Sequence, residues 1–214
     1  MKTLELFAGT KSFSKIANKL GHKTLTIDNE KKLEPDICLD IFSINNIGKF
    51  DILWASPPCT TFSVASICHY WTDGKPKNEK TLHGIAMVEK TISLIAENNP
   101  KYWFIENPRG MLRKVIDPIF KKHGITEYIR NTVTYCQYGA KIMKPTDIWT
   151  NCLIWKPRPM CKPGMSCHQP AGRGAKTGVK GIYNAKWEKE RGGTATARGV
   201  IPPKLFNEIF EQIQ

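Results

Sequence analysis

No apolar run in this sequence approaches the roughly 20 residues that a membrane-spanning helix requires. The first residues have the pattern of a strand rather than of a secretory leader, so we expect a cytoplasmic protein that does not bind membranes. Seven cysteines at irregular spacing make an odd number, which is typical of reduced thiols inside a cell and not of a disulfide framework.

Acidic residues are scarce in this chain. Asp and Glu number 19 against 32 Lys and Arg, which gives a formal net charge of +13. Residues 141–198 concentrate the excess, with twelve basic residues against three acidic ones. Such a segment predicts a polyanionic partner, most simply nucleic acid, although a solvated basic surface would have the same composition.

The 214 residues are enough for one domain with a hydrophobic core and a small appendage. Apolar periodicity predicts strands that alternate with helices, and this alternation predicts an α/β fold with a mostly parallel sheet wound on both faces. Ser12 is predicted to cap the first helix. Strands are predicted at 2–7, 23–27, 37–39, 51–55, 102–105, 128–136 and 147–154, and helices at 13–20, 81–98, 115–122 and 203–213.

The segment at 51–63 has the sequence DILWASPPCTTFS. Its run of apolar residues predicts a buried strand, and Pro57 and Pro58 must end that strand because proline lacks an N–H donor and fixes φ. Cys59 then stands on a stiff turn at the carboxyl edge of the sheet, where ligands bind in open α/β folds. Its thiol is either a nucleophile or a half-buried cysteine that packs after a strand.

Acidic residues and a glycine turn stand at the ends of neighbouring strands. Asp28 and Asp40 follow the second and third strands, and Phe7-Ala8-Gly9 joins the first strand to the first helix. In a doubly wound sheet such a turn lets a ligand approach the backbone, and a carboxylate after the second strand binds ribose hydroxyls. The chain lacks G-x-G-x-x-G, so these residues alone give little support to a dinucleotide site.

Four motifs, in this order along the chain, resemble those of the DNA cytosine-5 methyltransferases: E-L-F-A-G, D-I, S-P-P-C-x-x-F-S and E-N-P. The resemblance runs from Leu4 to about Pro108 and resumes at Tyr138-Gly139 and at Ile201-Pro202-Pro203-x-Leu205. It implies a Rossmann-like, S-adenosylmethionine-dependent methyltransferase that acts on double-stranded DNA as a monomer. The small size resembles that of solitary phage enzymes, which would place the protein in the host cytoplasm.

The resemblance implies a role for each catalytic position. Cys59 would add to C6 of a flipped-out cytosine and so make C5 nucleophilic, while Glu106 would donate a proton at N3. Asn107 would orient Glu106. Lys144 is the nearest match to the arginine that reaches cytosine O2 in the family, and the long loop after Cys59 would close over the DNA as a lid.

For the cofactor, the matched positions surround the first three strand ends and the proline turn. The first motif departs from the family pattern, because Glu5 replaces the usual Asp and Thr10-Lys11-Ser12 contains less glycine. The implied S-adenosylmethionine site comprises Phe7, Ala8, Gly9, Thr10, Asp28, Asn29, Asp40, Ile41 and Pro58.

The resemblance divides the chain into a catalytic core at 1–146, a reduced target-recognition segment at 147–198 and a C-terminal helix at 199–214 that completes the core. A recognition segment of this size predicts a short target site, because few side chains can be held rigidly at base edges. The predicted DNA-binding residues are Ser63, Ser66, Arg158, Lys162, Arg173, Lys176 and Lys180.

Cys152, Cys161, Cys167 and His168 also lie in the reduced segment, and three thiolates with an imidazole are suited to structural zinc. Their spacing, C-x8-C-x5-C-H, differs from the usual paired C-x2-C. A Cys152 that is simply buried on a strand is therefore the alternative.

Three other functions remain open at this point. An RNA cytosine-5 methyltransferase would share the fold and the chemistry, and activity on matched DNA and RNA would separate the two. An amino methyltransferase would have an aromatic residue in place of Cys59. A catalytically inactive DNA-binding relative would need neither Cys59 nor Glu106, so the presence of both favours an enzyme.

Overall fold

The computed structural model describes residues 1–162, 164–168 and 199–213. Nine strands and five helices are named here in chain order. The strands are β1 (Lys2–Leu6), β2 (Lys23–Asp28), β3 (Ile37–Cys38), β4 (Ile52–Ala55), β5 (Trp71–Thr72), β6 (Lys75–Pro76), β7 (Tyr102–Pro108), β8 (Ile129–Thr134) and β9 (Pro145–Thr150). The helices are α1 (Ser12–Lys19), α2 (Ile67–Tyr70), α3 (Glu79–Asn98), α4 (Leu112–Lys122) and α5 (Pro203–Ile213).

Seven of the strands form one sheet in the order β3-β2-β1-β4-β7-β9-β8. The first five in this order are parallel, which confirms the prediction of a mostly parallel sheet. Strand β9 is antiparallel to both of its neighbours. Only a short connection separates β8 from β9, and a short connection can join antiparallel strands but not parallel ones.

The sheet has a hydrophobic core on each face, as the predicted winding requires. Successive residues of a strand point to opposite faces, and β4 shows this clearly. Leu53 and Ala55 belong to the core that includes α3 and α4, whereas Ile52 and Trp54 belong to the core that includes α1 and α5. The last helix therefore packs onto the same face as the first, and its predicted bounds, 203–213, are confirmed.

The start of α1 corrects the prediction that Ser12 caps this helix. Ser12 is its first residue, and the carboxylate that caps the helix comes from Glu5 on β1. Oε1 of Glu5 accepts from the backbone N–H of Phe13 at 3.2 Å, and Oε2 accepts from that of Ser14 at 2.9 Å. Burial raises the pKa of Glu5 to about 6, although these hydrogen bonds favour its ionised form.

The loop after Cys59 contains short regular elements. A short 3-10 turn at Val64–Ser66 precedes α2, and β5 and β6 form a two-stranded antiparallel hairpin. Trp71 anchors this hairpin, since its side chain is buried and its indole N–H donates to the carbonyl of Thr61 at 2.6 Å. No helix within the described ranges is long and apolar enough to cross a membrane.

Candidate active site

Two adjoining cavities lie at the carboxyl edge of the parallel strands, where the sequence predicts the site. Phe7, which follows β1, and Pro58, which follows β4, line both of them. We call the cavity beside β2 and β3 the acidic cavity and the cavity that contains Cys59 the thiol cavity. The two therefore share a wall.

The acidic cavity gathers four residues that the sequence singles out. Asp28 and Asn29 come from the end of β2, and Asp40 and Ile41 follow β3. Asp28 accepts from the backbone N–H of Glu30 at 2.9 Å through Oδ1, and Asp40 accepts from Phe42 in the same way. The cavity thus combines two carboxylates with an apolar lining.

The turn between β1 and α1 has an unusual backbone. Phe7, Gly9 and Lys11 all have φ near +50°, in the left-handed region. Such a conformation costs energy in residues other than glycine and is concentrated at ligand sites. The turn is held to β2 because the N–H of Gly9 donates to Oδ2 of Asp28 at 2.9 Å. Ala8 and Thr10, with Gly9, line the thiol cavity.

The thiol cavity brings Cys59 together with Glu106 and Lys144, which are distant in sequence. Cys59 follows β4, Glu106 lies on β7 and Lys144 directly precedes β9. Gly199 and Ile201 from the C-terminal segment complete the lining, although sequence reasoning does not assign them to the site. A half-buried thiol and a buried carboxyl group thus face one space.

Tyr135 is a site residue that the sequence does not reveal. It follows β8, is almost fully buried, and its hydroxyl donates to Oε1 of Glu106 at 2.8 Å. Burial, and then the neighbouring Glu106, raise the pKa of Tyr135 well above its usual value, so the phenol keeps its proton. The ammonium of Lys144 lies 4.8 Å from the centre of the Tyr135 ring.

Asn107 connects the segment that carries Glu106 with the one that carries Cys59. Its side-chain amide donates to the carbonyl of Pro57 at 2.9 Å, and the residue is fully buried. This bond joins the end of β7 to the turn that presents Cys59. Asn107 therefore fixes the distance between the two segments, while the hydrogen bond to the Glu106 carboxyl group comes from Tyr135.

The first residues after Cys59 are clamped to the protein. Phe62 is fully buried, and its carbonyl accepts from the N–H of Met111 at 2.8 Å. A Cβ on Gly110 would lie only 2.0 Å from that carbonyl oxygen, so this approach requires glycine. The hydroxyl groups of Ser63 and Ser66 bond to backbone atoms within the loop. If the loop moves as a lid, the motion would therefore involve the residues that follow Ser66.

The predicted DNA-binding residues in the basic segment are only partly described. Arg158 pairs with Glu208 of α5, with 2.7 Å from Nε to Oε1, and also donates to the carbonyl of Gln137. The Arg158 side chain thus forms hydrogen bonds within the protein, whereas Lys162 is exposed. Arg173, Lys176 and Lys180 lie outside the described residues.

A cysteine and histidine cluster lies beside the end of β8. Cys136, Cys161, Cys167 and His168 place their sulfur and nitrogen atoms within 4.8 Å of one another. The predicted set is therefore wrong at one position, since Cys152 is fully buried in the core of α1 and α5 and Cys136 takes its place. Sequence spacing could not reveal Cys136, because it reaches the cluster from another element.

Comparison with known proteins gives the same assignment as the motifs. Residues 1–129 match the family described as C-5 cytosine-specific DNA methylase. The chain is 27% identical over 227 aligned residues to the "Probable DNA (cytosine-5)-methyltransferase" of frog virus 3 (isolate Goorha), and the alignment covers 99% of each chain.

Two solved structures are similar to this chain at low sequence identity. A candidate DNA modification methyltransferase encoded within an E. coli prophage matches with a TM-score of 0.54 and 14% identity, over 76% of this chain and 52% of that one. S. pombe Dnmt2 matches with a TM-score of 0.49 and 14% identity, over 73% and 53%. The chain spans about half the length of these structures. From the family match over more than half of its residues, this chain belongs to the C-5 cytosine-specific DNA methylases.

Proposed function

We propose that this protein transfers a methyl group from S-adenosylmethionine to C5 of cytosine in double-stranded DNA. The observation that carries the proposal is the thiol cavity, where Cys59, which follows β4, and Glu106, on β7, face one space. The adjoining acidic cavity supplies a place for the methyl donor beside the thiol. Family membership and the frog virus relative support the same reaction.

The acidic cavity fits S-adenosylmethionine by the chemistry of its lining. A carboxylate has about four acceptor positions, and the two backbone bonds to Asp28 leave others for ribose hydroxyls. Asp40 could accept from the adenine amine, and Phe7 and Ile41 supply apolar surface. When bound, the cofactor supplies an electrophilic methyl group. Pro58, which lines both cavities, would separate the cofactor from the target base.

Cys59 would act as the nucleophile. Its thiolate adds to C6 of cytosine, and the electrons of the 5,6 double bond make C5 nucleophilic enough to take the methyl group. The C5 proton then passes to water, the carbon–sulfur bond breaks and the double bond re-forms. The base must be flipped out of the duplex, because neither face of a stacked cytosine is accessible to a thiol.

Glu106 would relieve the charge that develops on the ring during thiolate addition. A carboxyl group at N3 can share a proton with the base, which is general acid catalysis. The Tyr135 hydroxyl holds Oε1 of Glu106 in place, which leaves the other carboxyl oxygen to contact the base. Lys144 stands beside this pair and is a candidate contact for the cytosine carbonyl.

The basic segment would bind the DNA backbone. Most of its Lys and Arg residues are suited to phosphate contacts, which position a duplex without reading its sequence. We therefore propose a target of about two to three base pairs, since each specified pair needs one or two rigid side chains. Binding of this kind should weaken steeply as salt concentration rises.

The test is methyl transfer to matched DNA and RNA of one sequence, followed by bisulfite mapping of the products. We expect 5-methylcytosine in DNA at a short site, and no product with Cys59→Ala. Methylation of the RNA alone would replace this proposal with the RNA enzyme. Folded protein that binds DNA but methylates neither substrate would support an inactive relative.

A further inference from the structure

Four metal-binding side chains converge beside the end of β8, outside the two cavities. Sγ of Cys161 lies 3.2 Å from Sγ of Cys167 and 3.3 Å from Nδ1 of His168, and Cys167 lies 3.6 Å from the same nitrogen. The sulfur of Cys136 completes a group in which every pair of these atoms is within 4.8 Å. Proposed methyl transfer requires none of these residues.

The spacing is close to that around one tetrahedral ion. Zinc bonds of about 2.3 Å to sulfur and about 2.0 Å to nitrogen place neighbouring ligand atoms roughly 3.5–3.8 Å apart. The observed distances of 3.2, 3.3 and 3.6 Å differ from this range by no more than a few tenths of an ångström. An iron–sulfur cluster would place ligands of different iron atoms much farther apart than 4.8 Å, which is the largest separation here. Two thiolates at the observed distances would repel each other, and a divalent cation removes that repulsion.

We propose that Cys136, Cys161, Cys167 and His168 bind one Zn²⁺ ion. The three thiols release their protons to water as the ion binds, so the site carries a net charge of −1. Soft sulfur ligands with one imidazole favour zinc over magnesium or calcium, which prefer oxygen. The side-chain amide of Gln137 lies 3.6 Å from Sγ of Cys167 and can donate to that thiolate.

The position of the site gives the ion a structural role. Cys136 directly follows Tyr135, which holds Glu106, and the N–H of Cys161 donates to the Thr134 hydroxyl at 2.9 Å. The ion would join the end of β8 to residues 161–168. Residues 161–168 lead into the basic residues 169–198. A segment as short as 161–168 cannot bury a hydrophobic core of its own.

Metal content tests the proposal without any measurement of methylation. Protein purified without chelators should contain about one zinc per chain by elemental analysis. After zinc removal, Co²⁺ should give the visible absorption of a tetrahedral site with thiolate ligands. Cys136→Ser, Cys161→Ser and Cys167→Ser should each lower zinc retention at least tenfold in competition with a chelator.

Two kinds of control variant test whether cysteines outside the proposed ligand set are needed to hold the metal. Cys38→Ser and Cys68→Ser change exposed cysteines elsewhere and should keep the metal. Cys152→Ala should also keep it, which separates this set from one that includes Cys152. If a Cys→Ser variant fails to fold, thiol labelling of the wild-type protein with and without chelator gives the same information, since three thiols should become reactive together.

Several outcomes would overturn the proposal. Folded wild-type protein that holds no zinc and shows no tetrahedral Co²⁺ spectrum would exclude the site. A Cys161–Cys167 disulfide found by mass spectrometry in protein purified under reducing conditions would assign the pair to redox chemistry instead. Zinc retained by Cys136→Ser but lost from Cys152→Ala would restore the ligand set that the sequence suggested.

Discussion

The hydroxyl of Tyr135, at the end of β8, donates a hydrogen bond to Glu106 on β7 across the intervening strand β9. The carboxyl group that would serve as the catalytic acid is therefore held by a residue that follows β8, two strands away in the sheet. This arrangement makes Tyr135 a positioning residue for the proposed reaction.

Tyr135→Phe should slow turnover while leaving cofactor binding unchanged. A hydrogen bond to a charged group contributes about 1.5–3 kcal/mol, which corresponds to a loss of roughly 10- to 100-fold in kcat. Steady-state kinetics and calorimetry with S-adenosylmethionine would measure both quantities. Tyr128→Phe is the matched control, since Tyr128 donates to Asp117 at the surface and should leave kcat unchanged.

The positioning role of Tyr135 also predicts the kcat of a double variant in which both Tyr135 and Glu106 are changed. Glu106→Gln should lower kcat by about 10²–10⁴-fold, as expected for loss of a general acid. If Tyr135 acts only through Glu106, adding Tyr135→Phe to Glu106→Gln should lower kcat little further. Fully additive losses in the double variant would contradict the role assigned to Tyr135.

The nucleophile can be tested by covalent trapping. A duplex with 5-fluorocytosine at the target should form a stable adduct with the wild-type protein, because fluorine cannot leave as the proton does. Cys59→Ala should form no adduct and should still bind S-adenosylmethionine, whose proposed carboxylate partners lie on other segments. Denaturing electrophoresis would show the adduct, and trapping that persists in Cys59→Ala would refute the assignment.

The acidic cavity predicts which carboxylates bind the cofactor. Asp28→Ala and Asp40→Ala should each weaken S-adenosylmethionine binding by about 1–3 kcal/mol, measured by calorimetry. Asp51→Ala is a suitable control, since its carboxylate accepts from the N–H of Lys2 at the opposite edge of the sheet. Equal affinity in all three variants would place the cofactor elsewhere.

Glu5 predicts a pH dependence of stability. Its pKa is raised to about 6 in the folded protein, so the folded state holds this proton more tightly than the unfolded state. The stabilisation is fully present below the ordinary pKa of about 4.5 and is lost as the pH rises through about 6. Between these limits the free energy of unfolding should fall by up to about 2 kcal/mol.

Urea unfolding from pH 4.5 to 7 would test this dependence. The free energy of unfolding of Glu5→Gln should not fall in this pH range, because glutamine has no proton to lose at this position. Glu127→Gln, a change at an exposed glutamate, should retain the fall. A wild-type curve that parallels the Glu5→Gln curve would show that the buried carboxyl group does not titrate in this range.

Much of the fold could be predicted because it depends on local sequence. The run 52–55 followed by two prolines can form only a short buried strand that ends in a turn, and the structure contains that strand. The C-terminal helix has its predicted bounds because its apolar residues recur at helical spacing. The motif order alone also indicated the family, which is confirmed.

Tertiary structure decided the contacts between residues that are distant in sequence. The position of β9 between β7 and β8 brings Tyr135 to Glu106, and no local pattern encodes that strand order. Likewise, Cys136 lies next to Cys161 only because of how the chain packs. Glu5 caps α1 in place of Ser12 because β1 ends beside the start of that helix. Periodicity fixes the face on which a residue lies, whereas the partner across the sheet depends on how the whole chain packs.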